Sequence, residues 1–227
     1  MKNALVFISA SRDWMESRFM FEFMRIHPVP GWNIATCDLR GHSAADRHNS
    51  AFNMLPDLEK LWGINVDKIL FMDSDQFYPA DYFEKMFVHE EPVVGAYSVS
   101  RYPPYEIGQY INTGISASDC GRRYPKYEPM TGENDIFECD AVGLGAAMFD
   151  RKIIDESDSP WFKDIIDSKG TRLLCDDFYF FWKLNKKGYR VVVDKNIMIG
   201  HYTVALVLPS NRDRIEEAHK IGAEYAG

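Results

Sequence analysis

Two carboxylates one residue apart, Asp73 and Asp75, follow an unbroken apolar run, Ile69-Leu70-Phe71-Met72. Paired oxygen donors of this kind suit a hard divalent cation, which keeps coordination positions open for phosphate oxygens. The run before them has the length and composition of a strand buried on both faces of a parallel sheet. That places the pair at the strand's C-terminal end, the edge where open α/β sheets bind ligands. The plainer alternative is a strand followed by a polar turn and a helix cap, since an isolated Asp-x-Asp is common.

Such a pair needs a sheet to hold it, and the surrounding sequence supplies one. Residues 4–9 read as a first strand. A helix over 13–26 follows, with Phe19, Met20, Phe23 and Met24 at core spacing. His27-Pro28-Val29-Pro30-Gly31 stops it. A strand over 32–37 leads to Asp38. Ser43, after Gly41-His42, is placed to cap a helix beginning at Ala44, and Pro56 is expected to bend or restart that helix. The third strand, 68–72, ends in the acidic motif. A helix over 81–88 and a strand over 92–98 complete a β-α-β-α-β-α-β alternation, which predicts an α/β protein with a mostly parallel sheet. No Gly-x-Gly-x-x-Gly turn and no Walker A lysine loop is present. Phosphates must be held another way, and a cation on Asp73 and Asp75 would do it.

The second half reads less cleanly. Residues 101–137 look irregular, and Tyr102-Pro103-Pro104-Tyr105 and Gly121-Arg122-Arg123-Tyr124-Pro125 suit loops over a site. A strand-like stretch over 137–149 contains Asp140-Ala141-Val142-Gly143-Leu144-Gly145, and a helix starts near Arg151. Asp176-Asp177 opens an amphipathic helix closed by Gly188. A strand over 189–194, His201 and a polar helix over 211–225 end the chain.

Composition narrows the function classes. The chain has 227 residues, 46% hydrophobic and 14% aromatic, enough for one large α/β domain or two small ones. A net charge of −8 argues against a broad nucleic-acid surface. Cys37, Cys120, Cys139 and Cys175 lack zinc or thioredoxin spacing and read as reduced thiols. The run after Met1 is too short for a signal peptide, and no stretch approaches the length of a membrane helix. The expected location is cytoplasmic, with peripheral contact at a membrane left open.

Four segments, in order, resemble the GT-A glycosyltransferases of the family-2-like, nucleotide-sugar-using kind. They are Arg47-His48-Asn49; Asp73-Ser74-Asp75; Asp140 to Gly145 with Phe149-Asp150-Arg151; and Asp176-Asp177-Phe178 with Gly188-Tyr189 and His201. The resemblance spans residues 4–202. It implies a single Rossmann-like GT-A domain over 1–227: a nucleotide-binding half over 1–100, an acceptor-side half over 101–205 and a C-terminal helix over 206–227. It also implies transfer of a sugar from a nucleotide-diphospho-sugar, a UDP- or GDP-sugar, to an acceptor hydroxyl that the sequence does not name.

The resemblance also assigns roles. Asp75 would hold Mn²⁺ or Mg²⁺, with Asp73 on the ribose or a metal-bound water and His201 as a third protein ligand. Asp177 is the expected general base, and Asp176 the substitute; position 176 is Asp where the family usually has Glu. Both also suit a helix cap. A base there implies inversion. Ser9, Ala10, Arg12, Asp38, Arg47, Asp73 and Ser74 are the expected nucleotide contacts. Asp140, Gly143, Leu144 and Gly145 are expected beside the sugar and acceptor, the glycines either admitting the sugar or marking a bend. Two alternatives stand beside this reading. A sugar-phosphate nucleotidyltransferase would carry a Gly-rich loop after the first strand, where this chain has Ser9-Ala10-Ser11-Arg12. A catalytically silent nucleotide- or sugar-binding protein of the same fold is the other.

Overall fold

Side chains alternate between two cores along the first strand, β1 (Lys2–Ser9). Leu5 and Phe7 face one core, while Ala4, Val6 and Ile8 face the other. Burial on both faces is what a central strand of an α/β sheet requires. The computed structural model describes residues 1–10, 17–100, 106–117, 123–202, and 206, 207, 209 and 213. Arg12, Tyr102, Tyr105 and almost all of the expected C-terminal helix lie outside the described residues.

After β1 come α1 (Ser17–Phe23), β2 (Trp32–Leu39), α2 (Ala44–Trp62) and β3 (Lys68–Asp73). The short β4 (Gln76–Phe77), α3 (Tyr82–Phe87) and β5 (Val93–Tyr97) follow. Next are β6 (Gln109–Ala117), β7 (Arg123–Pro129), β8 (Ile136–Cys139), β9 (Ala141–Val142), a 3-10 turn over Leu144–Ala146, β10 (Ala147–Asp150) and α4 (Lys152–Glu156). The remainder is β11 (Ile165–Ile166), β12 (Arg172–Leu174), α5 (Asp176–Lys186), β13 (Val191–Met198), β14 (Gly200–Tyr202) and β15 (Leu206–Val207).

Seven strands form the central sheet in the order β2-β1-β3-β10-β5-β13-β8. β1 runs parallel to β2 and β3, and β13 runs parallel to β5. β10 is antiparallel to both β3 and β5, and β8 is antiparallel to β13. Five of the seven strands therefore point one way, which makes this a single α/β domain around a mixed, mostly parallel sheet. One core lies under α2, α4 and α5, where Phe52, Phe71, Phe149, Phe162 and Phe180 meet. The other lies under α1 and α3.

The register Ser9↔Asp73 aligns the C-terminal ends of β1 and β3. A small sheet, β15-β14-β4, stands beside that edge and pairs His201 with Gln76. Several expectations change. Pro56 does not break α2, which runs from Ala44 to Trp62. The proline is exposed, and the burial of Phe52 and Leu55 holds the helix through the lost hydrogen bond. Much of the stretch expected to be irregular is the β6–β7 hairpin. The stretch 137–149 is not one strand: it turns at Asp140 and again at the 3-10 turn.

Candidate functional site

A cavity of about 310 Å³ opens at the C-terminal ends of β1 and β3. Ser9, Ala44, Arg47, His48, Asp73 and Asp75 line it from the first half of the chain; Arg172, Cys175, Asp176 and Asp177 line it from the second. Four carboxylates thus face two guanidinium groups and one imidazole.

Local structure explains each placement. Ser43 Oγ accepts from the Asp46 N–H at 3.1 Å and starts α2, as its sequence position predicts. The first turn of that helix then presents three consecutive residues. Arg47 Nε donates to Ser9 Oγ at 3.0 Å. His48 Nδ1 lies 2.9 Å from Asp176 Oδ2 and 3.9 Å from Asp177 Oδ1. Asn49 donates to the Ala45 and Phe162 carbonyls and accepts from the Trp161 and Phe162 N–H groups.

Asp176 and Asp177 stand in the first turn of α5, where the helix dipole favours negative charge. No side chain caps α5. Instead Asp176 turns to His48, and Asp177 Oδ2 accepts from the Leu144 N–H at 3.1 Å. Asp176 and His48 are buried, while the Asp177 side chain keeps 26% exposure toward the cavity. Burial, with Asp176 next to it, pushes the Asp177 carboxyl above the carboxylate range; His48 and the Leu144 N–H oppose this. Burial pushes the Cys175 thiol up to about 12, so it is not a nucleophile here.

Asp73 rests against the backbone of Gly145. A Cβ at that position would stand 2.3 Å from Asp73 Oδ2 and 2.9 Å from Gln76 Oε1. The glycine is there for the carboxylate, which the sequence does not reveal. Burial and then the charge of Asp75 raise Asp73 to about 7, against the pull of Arg47. Two like charges sharing a desolvated edge are the arrangement a divalent cation relieves, so the donor chemistry fits one.

His201 lies on β14, beside this edge, and is not part of the cavity wall. Its Nδ1 is 2.7 Å from the Val99 carbonyl and its Nε2 is 3.0 Å from Gln76 Nε2. The Asp75 carbonyl accepts from the Tyr202 N–H at 2.9 Å, which ties the motif to the same strand. Among the described residues, the set of three His, Cys, Asp or Glu ligands with all donor atoms within 4.8 Å is His48, Asp176 and Asp177.

Other expected contacts lie elsewhere. Ser74 is buried, and its N–H bonds the Ser9 carbonyl. Ala10 follows β1 and does not line the cavity. Asp38 pairs with Arg40 at 2.9 Å at the neighbouring strand end. Asp140 is buried and spent on structure: Oδ2 accepts from the Asn112 N–H at 2.8 Å, and Oδ1 lies 3.2 Å from Arg190 Nη1. Gly143 N–H bonds the Gly108 carbonyl, and space is open where its Cβ would be. Of the group expected beside the acceptor, Leu144 holds Asp177 and Gly145 makes room for Asp73. His48, Ala44, Arg172 and Cys175 also form the wall, though none of them is among the site residues expected from the sequence. His48 had a signal: positions 48, 51, 52 and 55 form the buried stripe of α2, and a histidine among apolar residues there needs a partner.

No protein-family model matches the chain, and no curated protein matches it. Similar solved structures include two at low scores. S. aureus TarS 1–349, in complex with UDP-GlcNAc, gives a TM-score of 0.42 at 10% identity, over 85% of this chain and 56% of that one. The nucleoside-diphosphate-sugar pyrophosphorylase from Vibrio cholerae RC9 gives 0.37 at 13% identity, over 85% and 72%. At those scores neither bears on what this chain does. The structure of A197 from STIV gives 0.57 at 17% identity, over 89% of this chain and 86% of that one, and the likeness is one of fold.

Proposed function

We propose that this chain is a cation-dependent sugar transferase. It takes a nucleotide-diphospho-sugar as donor and passes the sugar to an acceptor hydroxyl with inversion. One observation supports this most: a single cavity joins the Asp73–Asp75 edge to the Asp176–Asp177 helix start. A leaving diphosphate needs the first, and a hydroxyl that must lose a proton needs the second.

Asp177 is the proposed base. Asp176 is committed to His48, whereas Asp177 lines the cavity with its side chain 26% exposed and its Oδ2 fixed by Leu144. Its raised pKa brings it toward neutrality, where a carboxylate accepts a proton more readily. Attack by the activated hydroxyl on the face opposite the diphosphate gives inversion. Arg47 and Ser9 stand where the phosphates of a donor would lie, and Arg172 faces them from β12. Asp75 and Asp73, with His201 in reserve on β14, would hold Mn²⁺ or Mg²⁺. When bound, the cation neutralises charge on the departing diphosphate.

Calorimetry or thermal shift with UDP-, GDP-, CMP- and dTDP-sugars, each with and without Mn²⁺, tests this on the native chain and on Asp75→Ala. Cation-dependent stabilisation by one donor, lost in the variant, is the expected result. A silent binder is the second reading, favoured by the contact of His201 with Gln76 in place of a shared carboxylate site. It predicts donor binding with no hydrolysis or transfer, and equal binding in Asp177→Asn. No stabilisation by any donor in folded protein would sink both readings.

A further inference from the structure

We infer that Gln76 competes with a bound cation for His201, so that its carboxamide sets how tightly the site holds a metal and which metal it prefers. This rests on the cation reading above.

The tautomer of His201 follows from its partners. The Val99 carbonyl can only accept, and it lies 2.7 Å from Nδ1, so Nδ1 carries the proton. A metal-binding histidine is commonly held this way, by its other ring N–H on a backbone carbonyl. Nε2 then presents a lone pair, and Gln76 Nε2 donates to it at 3.0 Å. The other end of Gln76 meets Tyr78. Tyr78 Oη lies 2.6 Å from Gln76 Oε1, 2.8 Å from the Gly145 carbonyl, and accepts from the Asp73 N–H at 2.8 Å. Flipping the amide would set an oxygen against the imidazole lone pair. Gln76 and Tyr78 are both buried.

The carboxamide is also the neighbour of the Asp73 carboxylate across Gly145. It therefore stands between the acidic motif and the imidazole. For Nε2 to reach a cation held by Asp73 and Asp75, the Gln76 bond must break, leaving a buried N–H without its acceptor. The competition is felt by a metal in proportion to how strongly it uses an imidazole. Mn²⁺ gains more from a nitrogen ligand than Mg²⁺, which prefers oxygen and water. Gln76 is thus a positioning residue whose effect falls mainly on Mn²⁺.

Calorimetric titration of chelator-treated protein with Mn²⁺ and with Mg²⁺ tests this in the native chain, Gln76→Met, His201→Ala and the double variant. Gln76→Met keeps the side-chain volume and removes the donor. Its Mn²⁺ affinity is expected to rise about five- to tenfold, the equivalent of one hydrogen bond, with Mg²⁺ changing less than about twofold. The gain should vanish in the double variant. Unchanged or weaker Mn²⁺ binding by a Gln76→Met protein of native melting behaviour overturns the inference and leaves the transferase reading standing. A native chain that binds neither ion overturns both. A measurement on the native chain covers a Gln76→Met that fails to fold: nitrogen NMR of His201 during titration with diamagnetic Cd²⁺. A large shift at Nε2, with loss of the hydrogen-bonded Gln76 amide signal, is expected; an unmoved Nε2 resonance at saturation overturns the competition.

Discussion

Arg47, His48 and Asn49 are consecutive, yet each grips a different part of the chain: the end of β1, the start of α5, and the segment after α4. Asn49 alone satisfies four backbone groups. Asn49→Ala should lower stability by about 1–3 kcal/mol, from the buried groups it orphans, in a urea titration. The carboxylates make a different kind of prediction. Without a cation, the folded pKa of Asp73 is about 7, well above the unfolded value. Between about pH 4 and 7 the folded chain therefore keeps a proton that the unfolded chain has released, so stability falls as pH rises through that window. Asp177 acts in the same direction. In chelator, the melting temperature should drop from pH 5 to pH 8. Asp73→Asn should flatten the slope, and Mn²⁺ should restore the native chain at pH 8. An identical slope in Asp73→Asn would place the effect elsewhere. Asp73, Asp75, Arg47 and Asp177 were legible because strand ends and helix starts can be read from local pattern. The partner of His48 was not: the two residues it joins lie 128 apart in sequence.

At the scale of elements, the 3-10 turn over Leu144–Ala146 serves both sides of the cavity. Its Leu144 N–H fixes Asp177, and Gly145 leaves room for Asp73. Gly145→Ala should shift the Asp73 carboxylate, costing about 1–3 kcal/mol by overpacking. It should also weaken Mn²⁺ binding more than Gly143→Ala, whose Cβ meets open space; titration of the two variants side by side decides it. Beneath the site, Phe162 is buried against Phe52, Phe71 and Phe180. Phe162→Ala should cost about 3–5 kcal/mol in thermal unfolding. The strands of the first hundred residues were readable as short unbroken apolar runs, and the helices from apolar residues at helical spacing. The β6–β7 hairpin was not, because Pro125, Pro129 and exposed polar residues hide its alternation. Pro56 misled in the other direction, since tertiary burial outweighs one lost bond.

On the scale of the whole molecule, a boundary near residue 100 is a division of chemistry and not of folding. β10, from the second half, stands between β3 and β5 and pairs with both. A fragment ending at Tyr97 should therefore lack a cooperative melt by circular dichroism, because β3 and β5 would each present an unpaired edge. The same insertion has a consequence in time. During synthesis, Leu70 must wait for Met148 before its outer edge is covered. At about 5–20 residues per second that delay is roughly 4 to 16 seconds, in which a finished three-stranded β2-β1-β3 ribbon stands beside the ribosome with one bare apolar margin. Chaperone capture of the nascent chain should be concentrated in that interval and end once Asp150 has emerged.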